Sequence, residues 1–258
     1  MSRTSSSLEQ ASIDRSVSAP LDPERRAELV AHLGAVRARL ADACASVGRD
    51  PHDVTIVAVT KTFPAIDIAG LTSIGVTDIG ENRDQDARAK IAELSASGWE
   101  LPSLRWHFVG RLQTNKCRSV ARYADVVHSV DRVEVATALA AGAQRADRRL
   151  SVFAQVSLDE APVRGGVVPG RLGELADHIA AQETLSLIGV MAIAPLDADA
   201  DAAFERLAAI SARLRNDHPA ASAISAGMSE DLEAAVRHGA THVRVGSALL
   251  GRRTTNIG

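Results

Sequence analysis

The chain has 258 residues, 46% of them hydrophobic and only 3% aromatic, with a formal net charge of −3. That length suits one α/β barrel with a large core. The weak charge and scarce aromatics argue against a nucleic-acid partner, and no apolar run approaches the ~20 residues that span a bilayer, so no membrane partner is expected either.

Residues 1–20 are rich in Ser and lack the apolar segment of a secretory signal. They are expected to form a disordered leader, with one folded domain over 21–258. Cys44 and Cys117 lie far apart and outside any CxxC pattern. They read as free thiols of a reducing compartment, which implies a cytoplasmic protein.

The folded part opens with a helix over Asp22–Val47, where Leu29, Val30, Leu33, Val36 and Leu40 recur at helical spacing and Gly48 ends the pattern. Short β-branched runs then alternate with helical segments. The predicted strands are Val54–Val59, Asp78–Gly80, Trp106–Val109, Val126–Ser129, Ser151–Ser157, Leu185–Ile193, Ala223–Ser225 and His242–Val245. Helices are predicted over Pro64–Ile74, Asn82–Ser97, Thr114–Tyr123, Arg132–Ala146, Pro169–Ala181, Ala200–Leu214 and Ser229–His238, with a closing one from about Ser247. Strict βα alternation implies a parallel sheet with right-handed crossovers. Eight units favour a (β/α)8 TIM barrel with an extra N-terminal helix, although a doubly wound sheet fits the periodicity nearly as well. After the leader no Pro/Gly/Ser-rich linker interrupts the chain.

In a barrel the site lies at the carboxyl ends of the strands. The residues there are Lys61, Glu81 and Asn82, Gly110–Asn115, His128 and Ser129, Met191, Ser225–Ser229, and Arg244, Gly246 and Ser247. Lys61 stands out, because the chain holds three lysines against 26 arginines. A lysine that follows a buried strand is partly desolvated, which frees its amine as a nucleophile. The competing reading is a lysine snorkelling at a strand end. Lys90, beside Arg88 within a helix, reads as a solvated surface charge. Lys116, between Asn115 and Arg118, reads as part of a polar helix start or as a neighbour of the site.

The second signal is a phosphate cradle. "SAGMS" (Ser225–Ser229) follows the seventh strand and "RVGS" (Arg244–Ser247) the eighth, and each leads into a helix. Small residues let backbone N–H groups approach an anion, and these loops are the usual phosphate site of such barrels. Glu230 and Asp231 occupy the turn after Ser229, so an anion is expected toward Ser225–Gly227 and Gly246–Ser247. Ordinary turn and N-cap chemistry at Ser229 and Ser247 is the alternative. His107 reads as a hydrogen-bonded core histidine, and His128 equally as core or site. Gly165 and Gly166 mark a turn or lid. The histidines show no HxxxH or HxH spacing with carboxylates, so no metal is expected.

Several blocks carry a resemblance: "AVTKTFP" (Ala58–Pro64), "IGENRDQDA" (Ile79–Ala87), "WHFVGRLQTNK" (Trp106–Lys116), "HSVDR" (His128–Arg132), "GVMAIAP" (Gly189–Pro195) and the run Ser225–Arg253. In this order they resemble the pyridoxal phosphate homeostasis proteins, single-domain relatives of the fold-type III barrel of alanine racemase. The resemblance implies that pyridoxal 5′-phosphate (PLP) is held as a Schiff base on Lys61. It implies that Ser225, Gly246 and Ser247 hold the phosphate, with Gly227, Met228 and Ser229 in the same loop. Arg244 resembles the arginine facing the pyridine nitrogen, and Asn82 and Met191 fall beside the cofactor. The implied role is to bind, buffer and deliver PLP, with PLP-dependent apoenzymes as candidate recipients, and to act without catalysis, as a monomer. Thr60, Phe63, Arg83 and Asp84 depart from the family's usual residues, which puts any rim surface for handing over PLP in doubt.

The residues themselves also weigh against catalysis. An always-charged arginine favours an unprotonated ring nitrogen, which weakens the cofactor as an electron sink. The single tyrosine, Tyr123, follows a helix away from the strand mouths, so a two-base racemase is not expected. A PLP enzyme of low activity (a racemase or lyase) is the alternative, and a Schiff-base aldolase acting on a phosphorylated sugar is a third reading.

Overall fold

A computed structural model describes residues 21–99, 104–159, 165–195 and 198–251. The expected leader lies outside the described residues. Helix α1 (Pro23–Ala45) starts where Asp22 accepts the Glu24 N–H at 3.0 Å and Pro23 fills the first turn. It buries Leu29, Leu33, Val36 and Leu40, while Val30 faces outward.

The strands are β1 (Thr55–Val59), β2 (Asp78–Glu81), β3 (Arg105–Phe108), β4 (Val126–Val130), β5 (Leu150–Gln155), β6 (Leu185–Met191), β7 (Ala223–Ser225) and β8 (His242–Val245). Between them run α2 (Ala65–Ser73), α3 (Asp84–Ala96), α4 (Thr114–Val120), α5 (Val133–Arg145), α6 (Leu172–Ala180), α7 (Ala200–Asp217) and α8 (Leu232–Arg237), and α9 (Ser247–Leu250) closes the described fold. The strands form a closed barrel in chain order. Closure is made by β1 and β8, parallel from Thr55↔His242 to Ala58↔Val245. A doubly wound sheet leaves two free edges, so this pairing decides for the barrel. α1 packs on α8 and α9, beside that seam.

One helix boundary differs in a way that matters. α8 starts at Leu232, not Ser229. The Asp231 carboxylate accepts the Met228 N–H at 2.6 Å and holds 228–231 in a turn.

The large apolar cluster joins helix residues such as Leu71, Leu139, Ile179 and Leu207 to strand residues such as Ile79, Val127, Val152 and Val243. Each such fully buried aliphatic side chain contributes about 1.5–3 kcal/mol. The barrel lumen is different. A small apolar group, Val126, Phe153 and Met191, meets His107, His128, Ser225, His242 and Arg244. His128 of β4 and Ser225 of β7 are on strands that do not pair, yet their side chains lie 2.8 Å apart. That contact crosses the lumen. A polar lumen is tolerable only where its groups are hydrogen-bonded, and here they are.

Candidate functional site

At the mouth of β1 the chain turns sharply. Phe63 N–H returns to Thr60 O at 3.0 Å, and Thr62 takes φ 70°. For a β-branched residue that conformation is strained, at a cost of about 1–3 kcal/mol. The turn lifts Lys61 to the rim. Lys61 is exposed and, among the described residues, makes no hydrogen bond or ion pair. The partial desolvation anticipated there is thus not supplied by this turn, which carries the side chain clear of the strand.

Beneath it sits a group that sequence reasoning misassigned. Lys90 is buried, not a solvated surface charge. Its ammonium donates to Glu81 Oε1 at 2.5 Å and to Thr60 O at 2.7 Å, and the Thr60 hydroxyl donates to the same Glu81 oxygen at 2.6 Å. The α3 face bearing Lys90 packs onto the ends of β1 and β2, so the lysine tethers the residue before Lys61. Glu81 Oε2 is buried and, among the described residues, has no hydrogen-bond partner.

The other half of the mouth comes from β7 and β8. Ser225 is fully buried, and its oxygen accepts from Arg244 Nη1 at 2.7 Å. Arg244 also donates from Nη2 to Ala192 O at 3.0 Å, beyond the end of β6. No carboxylate lies within ion-pair distance of this buried guanidinium among the described residues. Burial pushes it down to about 10, so it stays charged at neutral pH. Its acceptors are the Ser225 hydroxyl and the Ala192 carbonyl, and the Asp231 carboxylate acts on it from beyond ion-pair distance, so the guanidinium is buried at a cost.

Gly227 has φ +88°, and a Cβ there would meet the Ala235 Cβ at 2.6 Å. Only glycine carries the chain through this point. The loop is fixed on both sides: Arg244 N–H donates to Gly227 O at 2.9 Å, and Ala248 N–H donates to Ser229 Oγ at 3.2 Å. Ser229 therefore ties the two loops together and does not open a helix. At Gly246 a Cβ would come 3.4 Å from Val59 O, so the loop after β8 lies against the end of the strand that leads to Lys61.

The remaining predicted residues are less central. Met191 is buried in the lumen in register with Ser225. Asn82 is half-buried, and its backbone lies so close to Gly110 that a Cβ there would come 2.1 Å from Asn82 O. Met228 and Ser247 are exposed. Lys116 is exposed in the first turn of α4. Gly165 and Gly166 have φ +71° and +105°, and Gly166 abuts the Val156–Ser157 backbone beside the Val156↔Val167 bridge. Residues 160–164 of that loop lie outside the described residues.

Beneath Ser225 a chain of side chains crosses the lumen. His128 Nδ1 meets Ser225 Oγ at 2.8 Å, His128 Nε2 meets His107 Nδ1 at 2.9 Å, and His107 Nε2 meets Asp78 Oδ1 at 2.9 Å. Burial and the nearby charges of His107 and Arg244 hold the His128 imidazolium form well out of reach. Burial does the same to His242, pushed down to about 4. Burial opposes ionisation of Asp78, but the His107 hydrogen bond and Arg105 outweigh it and leave its carboxyl below the usual range. His107 is the hydrogen-bonded core residue its strand position suggests, and His128 is a buried core residue that touches Ser225. The period-2 spacing of inward positions on β3 and β4 is the one sequence signal that could have linked them.

The family described as alanine racemase, N-terminal domain, matches residues 31–254. A pyridoxal phosphate homeostasis protein of Mycobacterium tuberculosis is 44% identical over 245 residues, covering 90% of this chain and 95% of that relative. The structure of PipY from Synechococcus elongatus PCC7942 with PLP bound superposes with a TM-score of 0.72 at 35% identity, covering 82% of this chain and 100% of that one. An alanine racemase of Clostridium difficile shares the fold, with a TM-score of 0.64 at 15% identity over 89% of this chain and 58% of its own.

Proposed function

The chain belongs to the pyridoxal phosphate homeostasis protein family, and on that footing we propose that it binds PLP through Lys61 and serves as a carrier for it in the cytoplasm. The observation that carries this reading is Arg244 of β8, the strand next to the one that delivers Lys61: among the described residues this buried cation has no carboxylate within ion-pair distance, and it is joined to Ser225 of β7. Such a site suits a ligand with acceptors at its buried end and an aldehyde at its exposed end. Ser225, the Gly227 turn and the Gly246–Ser247 backbone would hold the phosphate, with Met228 and Ser229 in the same loop. Arg244 would donate to the ring nitrogen, flanked by Asn82 and Met191. The Lys61 amine would form a C=N bond to the aldehyde carbon, and the aldehyde oxygen would leave as water.

Bound PLP supplies an electron sink whose strength grows with protonation of its ring nitrogen. Arg244 remains charged and can only donate, so it does not place a proton there. Tyr123 is no substitute base. Its hydroxyl is buried and, among the described residues, without a hydrogen-bond partner, burial raises it above the ordinary phenol range, and it lines a groove with Asp84, Lys116 and Arg122 in the outer helical layer. These features support a carrier over a racemase. The exposure of Lys61 supports release, because an incoming amine can displace it without opening the barrel. Two free, buried cysteines suit a reducing compartment.

The test is reduction with borohydride after incubation with PLP. A visible absorption band that borohydride bleaches, with the reduced adduct mapped to Lys61, is the expected result. A reducible adduct that persists in Lys61→Ala would overturn the assignment. Saturable turnover of an amino acid that vanishes in Lys61→Ala would replace the carrier with the enzyme reading that the alanine racemase fold keeps in view.

A further inference from the structure

Lys61 leaves β1 in a turn that its own sequence disfavours. Thr60 O accepts the Phe63 N–H, so Lys61 and Thr62 are the two central residues of a four-residue turn. Thr62 takes its third position with φ 70°, a conformation that favours Gly or Asn over a β-branched residue. Backbone strain of this kind persists only where the surroundings over-determine it, and it collects at functional sites.

The turn is held from both sides. Ahead of it, Thr60 is fully buried and fastened by every polar atom it has. Its N–H donates to Gly80 O at 3.0 Å, and its hydroxyl donates to Glu81 Oε1 at 2.6 Å. Its carbonyl accepts the Lys90 ammonium at 2.7 Å as well as the Phe63 N–H. Lys90 closes the circuit by donating to the same Glu81 oxygen at 2.5 Å. Behind the turn, Phe63 packs against the core, and Arg25, paired with the buried Asp67, lies 5.8 Å from the centre of its ring. Between these anchors only Lys61 and Thr62 are exposed.

Stability alone does not account for this circuit, because apolar residues of similar volume often serve a buried interior as well as an ion pair does. What the pair supplies is direction at the root of a long side chain. A lysine stem is flexible along four carbons, and a misplacement of about 1 Å at a reacting group costs up to about 100-fold in rate. We propose that Lys90 and Glu81 are positioning residues for Lys61: by fixing Thr60 they hold the turn that aims the Lys61 stem, and so set how fast its amine joins the PLP aldehyde, not how tightly the ring and phosphate bind. In that step the amine attacks in its neutral form, a C=N bond replaces the C=O bond, and both amine hydrogens leave with the aldehyde oxygen as water. The inference rests on the reading of Lys61 as the residue that takes PLP.

The test compares PLP with pyridoxamine 5′-phosphate, which keeps the ring and phosphate but has no aldehyde. Protein freed of PLP is mixed with saturating PLP, the visible band is followed in time, and the borohydride-reduced adduct is mapped by mass spectrometry. Lys90→Met/Glu81→Gln, which leaves no bare charge in the interior, should form the Lys61 adduct about tenfold more slowly than wild type. Thr60→Val, which removes only the hydroxyl, should slow it about threefold. Both should bind pyridoxamine 5′-phosphate within about twofold of wild type, a difference too small for a lost hydrogen bond. Adding Thr62→Asn, a residue that accepts positive φ, should bring back most of the rate lost in the double variant. A wild-type rate in either variant overturns the proposal, as does a slowing that Thr62→Asn leaves untouched. Where the double variant loses pyridoxamine 5′-phosphate as well, Thr60→Val decides: a parallel loss of rate and affinity there makes the circuit merely structural. A wild type that forms no reducible adduct on Lys61 overturns the reading of Lys61 itself.

Discussion

At the level of single residues, Lys90 shows how far local sequence can mislead. Its helix and its neighbour Arg88 read as a solvated face, and helical spacing alone keeps that reading open. What buries it is Glu81, which lies on a different element. Removing one member of a buried pair strands the other's charge, at about 3–5 kcal/mol. Lys90→Met should lower stability by that much in urea unfolding at pH 7. Adding Glu81→Gln should restore more than half of the loss, since no bare carboxylate then remains in the interior. Full wild-type stability in the single variant would mean that the pair is not formed. Lys61, by contrast, stands out in the sequence by its rarity and its place after β1, although the tight turn that exposes it does not.

At the level of elements, the mouth depends on backbones that come too close for side chains. Gly110 against Asn82 is the clearest case, and it couples the loop after β3 to the loop after β2. Gly110→Ala must push the two loops apart. The expected cost is about 1–3 kcal/mol, the range of overpacked sites, read as a lower urea midpoint, with weaker PLP binding measured by titration. Gly34 provides the contrast. It is exposed in α1, and a Cβ there meets nothing within 4 Å. Gly34→Ala should therefore raise stability by about 0.5–1 kcal/mol, the ordinary helical gain, read as a higher urea midpoint. Elements with strong periodicity, such as α1 and α5, were legible within a few residues. The start of α8 was not, because Asp231 turns its side chain back to the Met228 N–H in place of joining the helix.

At the level of the whole molecule, the polar lumen ties folding to pH. His242 stays neutral in the barrel down to about 4, whereas its ordinary value is 6.5. Its folded value is depressed, so the unfolded chain binds the proton first. Stability is then complete above pH 6.5 and is lost progressively as pH falls toward 4. His128, depressed for the same reason, adds to the loss in the same direction. His242 alone accounts for roughly 3 kcal/mol, at about 1.4 kcal/mol per pKa unit. Urea midpoints measured across that window should drop with acid, and the slope should flatten in His242→Asn. A flat profile in the wild type would mean that the imidazole protonates without penalty in the barrel.

The strand–helix alternation, the residues at each strand mouth and the family blocks could all be read along the chain, because each rests on local periodicity or on short contiguous motifs. Closure of β8 onto β1, the burial of Lys90 and the alignment of Asp78, His107, His128, Ser225 and Arg244 could not. They join strands that are distant in sequence, and one residue's pointing direction has no local signature of what it will meet. The sequence alone thus located Lys61 and the two loops beside it. The tertiary structure decided that Ser225, which read as a phosphate ligand, is fully buried and held between Arg244 and His128 of the lumen, because those contacts join strands far apart in sequence.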